Sequence, residues 1–164
     1  MSEMAAPRYE LPDFLDGRVT KENYVRWLHR KAVAHVKRDR LRLPQAITNT
    51  VYKQQIHAAV CGSKGLDWYT GEALDWEKIS TYDNVQSKAE RSIYKAGFAL
   101  LPTVDHVLRP DGAYDFVICG WRTNDAKNDM SLVEFLKLCR LVIDRHGGEV
   151  AGAGLGAPLA EIAT

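Results

Sequence analysis

The stretch from Leu100 to Lys127, "LLPTVDHVLRPDGAYDFVICGWRTNDAK", decides how the rest of the chain is read. Its opening and the later run "YDFVICGW" are rich in branched and aromatic residues, which fit extended, half-buried backbone. Between them "RPDGA" supplies Pro and Asp-Gly, the chemistry of a hairpin loop. Beyond the second run, "WRTNDAKNDMS" leads into a helical pattern. The predicted order is strand, turn, strand, helix, with Asp105 and His106 side by side at the end of the first strand.

Working outward, Ser131 and Glu134 form a capping-box pattern that starts the helix. Leu132, Phe135, Leu136, Cys139, Val142 and Ile143 then share one apolar face, and Gly147 is the expected stop. The Gly/Ala-rich tail, 148–164, has too little bulk for a packed element and is expected to be flexible. Upstream, "GLDWYTGEALDW" suggests a short hairpin or turn, and residues 76–96 contain helical stretches that Gly97 ends.

A helix is predicted from Thr20, because Val25, Leu28, Ala32 and Val36 recur at three- and four-residue steps. Pro44 ends or restarts it. A second helix is expected over about Gln45 to Val60, closed by Gly62 and Gly65. Residues 1–19 read as an arm that packs through Tyr9, Leu11, Phe14 and Leu15. The predicted domain covers 20–147, with a helical part over 20–66 and a second module over 67–147.

Composition bounds these readings. At 164 residues, 46% apolar and 26% charged, the chain suits one globular domain with its own core. Its net charge of +1 points to no partner, so charge arguments must be local. Cys61, Cys119 and Cys139 are odd in number and form no CxxC pair, which argues against a disulfide framework or a zinc knuckle. With no signal-like segment at the N-terminus, reduced thiols in a cytoplasm are the expectation. No apolar run approaches the roughly 20 residues of a bilayer span, so no membrane partner is expected.

Over residues 68–137, "YTGEAL", "PTVDHV" and "CGWRTNDAKNDMSLVEF" together resemble the HNH endonucleases, the ββα-metal nucleases. The resemblance implies an α+β fold with N-terminal helices packed around a small ββα-metal module over 67–147. It further implies Asp105 as the first metal ligand, His106 as the general base, Asn124 as the last metal ligand and Lys127 as the basic residue after it, which would bind a phosphate of the nucleic acid. Asp115 falls nearest the family's central Asn, a departure from the pattern. As a carboxylate it accepts but does not donate, and would orient His106 and fix its tautomer. The paired cysteines that hold a structural zinc in many members are absent, so no such zinc is expected.

These residue types suit phosphodiester hydrolysis. A His with an ordinary pKa of about 6.5 can take a proton from water near neutral pH. Asp and Asn oxygens suit Mg²⁺ or Mn²⁺, which neutralise the phosphate and the departing oxygen. The segment 26–42, "RWLHRKAVAHVKRDRLR", adds seven Lys or Arg against one acid, Asp39. On a helical wheel Arg26, Arg30 and Lys37 form one ridge, and Lys31, Arg38 and Arg42 another. Beside a phosphodiester site, both ridges are candidate phosphate contacts. His29, His35, His57 and His146 show no mutual spacing that marks a site.

The resulting expectation is a metal-dependent endonuclease acting on double-stranded DNA. Two alternatives stand beside it: an HNH-like nucleic-acid-binding module without catalysis, and an interaction protein whose basic helix docks an acidic partner.

Overall fold

The computed structural model of the chain describes residues 9–41, 47–108 and 114–151. Among them, five α-helices, two short 3-10 turns and one two-stranded antiparallel sheet make an α+β fold. The chain divides into two compact units, one up to Asn128 and one from Asp129. The sequence predicted a single domain over 20–147.

Helix α1, Lys21–Asp39, begins where the Thr20 hydroxyl accepts the Asn23 N–H at 3.3 Å. That contact satisfies one of the N–H groups left over at a helix start. Its buried stripe is Tyr24, Trp27, Leu28, Ala32, His35, Val36 and Asp39, so the last turns carry polar residues inward. Helix α2, Asn49–Ser63, is capped the same way by Thr48 on Val51 N–H. It starts later than predicted, and residues 42–46, with Arg42 and Pro44, lie outside the described residues. It also runs through Gly62, ending where Lys64 turns left-handed at φ 51° and Gly65 follows at φ 87°. Only glycine takes that second conformation without strain.

The expected turn over 65–76 is present. Leu66 and Ala73 form an antiparallel bridge, and a 3-10 turn follows at Trp76–Lys78. Helix α3, Asn84–Ala96, starts on the Asp83 carboxylate and ends at Gly97. The arm packs as predicted, with Tyr9 and Leu15 buried and Leu11 and Phe14 against the core.

Strands β1, Pro102–Leu108, and β2, Tyr114–Gly120, pair Val104 with Ile118, Asp105 with Val117, His106 with Phe116 and Val107 with Asp115. The "RPDGA" loop, 109–113, lies outside the described residues. Asp105 and His106 sit mid-strand in β1, two residues before its end. Side chains alternate along a strand, so this register gives the hairpin two chemically distinct faces. Val104, Phe116 and Ile118 join the core built by α1 and α2 with Trp27, Ile56, Val60 and Trp76. On the other side α4, Trp121–Lys127, packs on both strands.

Asp67, 2% exposed, ties the 66–73 turn to this second face. Its carboxylate accepts the Tyr69 and Thr70 N–H groups at 2.7 and 3.2 Å, Gly120 N–H at 2.7 Å and the Thr123 hydroxyl at 2.9 Å. Asn124 consequently lies inside α4, whose N-cap is Gly120.

The second unit contains α5, Leu132–Ala151. Its predicted capping box is formed: Ser131 Oγ accepts the Glu134 N–H, and Glu134 Oε2 accepts the Ser131 N–H at 2.8 Å. Gly147 does not stop it, because a glycine costs a helix only about 1 kcal/mol relative to Ala.

Two glycines separate space from propensity. A Cβ on Gly120 would lie 3.0 Å from Ala99 O and 3.1 Å from Asp67 Oδ2, whereas one on Gly62 meets nothing within 4 Å. Gly120→Ala is expected to lower unfolding free energy by about 2 kcal/mol through overpacking. Gly62→Ala should leave it unchanged or raise it by up to about 1 kcal/mol. Urea melts of the two variants check this, and equal effects would contradict the packing described.

Candidate functional site at the junction of α1 and the hairpin

His35 and Asp39 are four residues apart in α1, so both side chains leave the same helix face one turn apart. That face meets His106 on the core side of β1. The His35 and His106 rings stand edge to face with centroids 4.6 Å apart, backed by Phe116. Arg38 bridges the two rings at their edges: its Nη2 donates to His35 Nδ1 at 2.7 Å and His106 Nδ1 at 2.6 Å. A guanidinium only donates, so both Nδ1 atoms carry lone pairs and the ring protons sit on Nε2.

Asp39 closes the cluster. It is 4% exposed and accepts the Tyr52 hydroxyl at 2.8 Å. His106 Nε2, also buried, stands 3.0 Å from Asp39 Oδ2 without the alignment of a good hydrogen bond. One donor atom from each of His35, Asp39 and His106 lies within 4.8 Å of the other two.

Burial sets the protonation here. It pushes the His35 pKa down to about 2, assisted by His106, Arg38 and Lys31, and the ring's hydrogen bond to the Val104 backbone opposes only part of the shift. His106 is also lowered, first by burial and then by Arg38, while the Asp39 carboxylate pulls it back up. Both rings are neutral bases near pH 7. The Tyr52 phenol is pushed well up by burial and by its bond to Asp39, so it stays a donor.

The other face is organised differently. Asp105 is paired with Lys127 Nζ at 2.9 Å and accepts the Tyr69 hydroxyl at 2.6 Å, both on Oδ2. Its Oδ1 takes the His106 backbone N–H at 2.8 Å. Lys127 is 4% exposed. Thr123 and Lys127 are the buried positions of α4, and Asn124 is partly buried beside them.

The structure therefore splits the predicted set. Asp105 and Lys127 come together on the α4 side, while His106 faces α1. Asp115 pairs with Val107, whereas His106 pairs with Phe116, so Asp115 projects to the opposite face from His106 and is not its orienting carboxylate. Asp39 occupies that position instead. In the basic helix, Arg26 and Lys37 are exposed, and Arg30, also exposed, donates to Ile79 O at 3.0 Å. Lys31 turns inward to Thr103 Oγ1 at 2.8 Å, and burial with Arg30 lowers its pKa to about 8, so it is a structural contact and not part of a free ridge. Arg42 lies outside the described residues.

His35, Asp39 and Tyr52 were not singled out by sequence reasoning. The available signal was H-x-x-x-D inside a helix, an i, i+4 pair on one face. No protein-family model, curated protein or solved structure matches the chain.

The buried imidazole gives a pH test with a definite sign. The His35 pKa in the fold, about 2, lies below its unfolded value of about 6.5, so the unfolded chain binds the extra proton. The stabilisation is complete above about pH 6.5 and is lost as pH falls towards 2. Relative to His35→Gln, wild-type unfolding free energy should drop by about 1.4 kcal/mol per pH unit from about pH 6 to about pH 4. Urea melts across that range measure it, and a flat difference would mean the folded ring takes a proton.

Proposed function

We propose that the chain is an endonuclease acting on phosphodiester bonds of DNA, with its reacting centre at His106 on the α1 side of the hairpin. The observation that carries this reading is the position of Arg38. Its side chain is 43% exposed at the end of the basic helix, yet its guanidinium covers the lone pairs of two neutral imidazoles. A phosphodiester oxygen that engages the guanidinium draws it outward, and His106 Nδ1 is then free to take a proton from water. Asp39, 3.0 Å from the opposite ring nitrogen, stabilises the imidazolium that results. Arg26 and Lys37, exposed on the same helix, supply further phosphate contacts.

The order β1, β2, α4 is that of a ββα module and supports the finer HNH-like reading of the fold. The Mg²⁺ or Mn²⁺ site implied by that resemblance, on Asp105 and Asn124, does not fit. Asp105 already carries a buried ammonium and a phenol, and it points away from His106. No step is assigned to a cation there. The closed Asp105–Lys127 pair also favours a second reading, a nucleic-acid-binding module without catalysis.

Purified full-length chain should cut supercoiled and linear DNA in an assay run with Mg²⁺, Mn²⁺, Zn²⁺ or chelator. His106→Gln should slow cutting by at least about 100-fold, the usual scale for loss of a general base. Arg38→Ala should weaken binding and reduce the salt slope by about 0.9. Binding without cutting under every condition would leave the non-catalytic module. No affinity even at low salt would remove both nucleic-acid readings in favour of a protein-docking role for the basic helix.

A further inference from the structure

We infer that His35, Asp39 and His106 form a binding site for a divalent transition-metal ion of the zinc class, with the Arg38 guanidinium as its built-in competitor. This deepens the endonuclease reading and rests on it for the role of the bound ion.

Two imidazoles and one carboxylate bind Zn²⁺ and its neighbours far better than Mg²⁺, which prefers oxygen throughout. The donor atoms lie within 4.8 Å of one another, so small side-chain movements would bring them to the roughly 3.5 Å separation of tetrahedral ligands. Three protein ligands also leave coordination positions for water and substrate.

The groups behind the ligands are in place as well. A metal-binding His usually donates its other N–H to a backbone carbonyl or carboxylate, and a ligating carboxylate is itself hydrogen-bonded. Here the His35 ring is bonded to the Val104 backbone and Asp39 accepts the Tyr52 hydroxyl. With both Nδ1 lone pairs turned to one point, the tautomers are those a ligand pair needs.

Arg38 identifies that point. Its Nη2 contacts both Nδ1 atoms at 2.7 and 2.6 Å, and its Nε is 3.5 Å from Asp39 Oδ1. One cationic group thus touches all three candidate ligands. The Asp39 side chain is 5% exposed and Arg38 is 43% exposed, so Arg38 can leave outward while the ligands stay. Lys127 differs, because its side chain is 6% exposed and sealed over Asp105.

A consequence is coupling. A phosphodiester that attracts Arg38 frees the ligands, and an ion that displaces Arg38 frees the guanidinium for phosphate. The two must tighten each other's binding by the same factor. A bound ion of this class would acidify a water and polarise a phosphoryl oxygen; His106 would then be a ligand, and the ion would take over the activation of water assigned above to its Nδ1.

The test is titration of the purified full chain with Co²⁺, followed by its visible absorption, and with Zn²⁺ by calorimetry, with and without dimethyl phosphate. Wild type should bind one ion, more tightly when dimethyl phosphate is present. Arg38→Ala should bind about tenfold more tightly and lose the response to dimethyl phosphate, a coupling of ordinary size. Adding His35→Gln or Asp39→Asn to Arg38→Ala should abolish binding while far-UV circular dichroism stays unchanged. Equal Co²⁺ affinity in wild type and Arg38→Ala, or binding that survives His35→Gln, would overturn the inference. If the ion binds as described and DNA is not cut, this site stands and the endonuclease reading falls. Cutting in chelator with no Co²⁺ binding has the opposite meaning.

Discussion

The Asp67 carboxylate accepts four hydrogen bonds, and its donors come from two stretches of chain some 50 residues apart: the 66–73 turn, and the junction of β2 with α4. A buried carboxylate without such donors would be strongly unfavourable, so the turn, the strand end and the helix start are fixed as one unit. Trp68 N–H to Ile118 O, at 2.9 Å, extends the same junction by a backbone bond. With β2 held there, the register of β1 against it decides which side chains face α1 and which face α4.

The two faces of that hairpin treat charge in opposite ways. On the α4 side a carboxylate, an ammonium and a phenol close upon one another, leaving Asp105 little capacity for a further partner. On the α1 side burial removes charge from the imidazoles, and the group that bridges their Nδ1 atoms is a guanidinium with an open route to solvent. The first arrangement suits a locked structural joint. The second keeps its basic nitrogens ready for a proton or an ion.

Much of the fold was legible because local chemistry dictates it. Thr20, Asp83 and the Ser131–Glu134 pair each satisfy helix N–H groups from within a few residues, and the strand runs declare themselves by branched and aromatic side chains. The predicted Gly147 stop failed because glycine permits a turn without compelling one. Asn124 was misplaced because α4 begins directly after Gly120, with no side-chain cap to announce it. The candidate site was only half legible. His106 stood out beside Asp105, but its partners His35 and Asp39 lie about 70 residues upstream, in a helix whose basic character drew the reading to its surface. Pairing across that distance is a matter of packing, which no local pattern encodes.

The alternation of Asp105 and His106 also bears on how the hairpin could go wrong. A slip of one residue in the β1–β2 pairing would exchange the two faces, bringing Asp105 against Asp39 and burying two like charges together, while His106 met the Lys127 ammonium. Each neighbour would then oppose its new surroundings. The adjacent Asp and His thus discriminate against misregistered forms of the sheet, so foldability alone gives a reason for the pair whatever its chemistry.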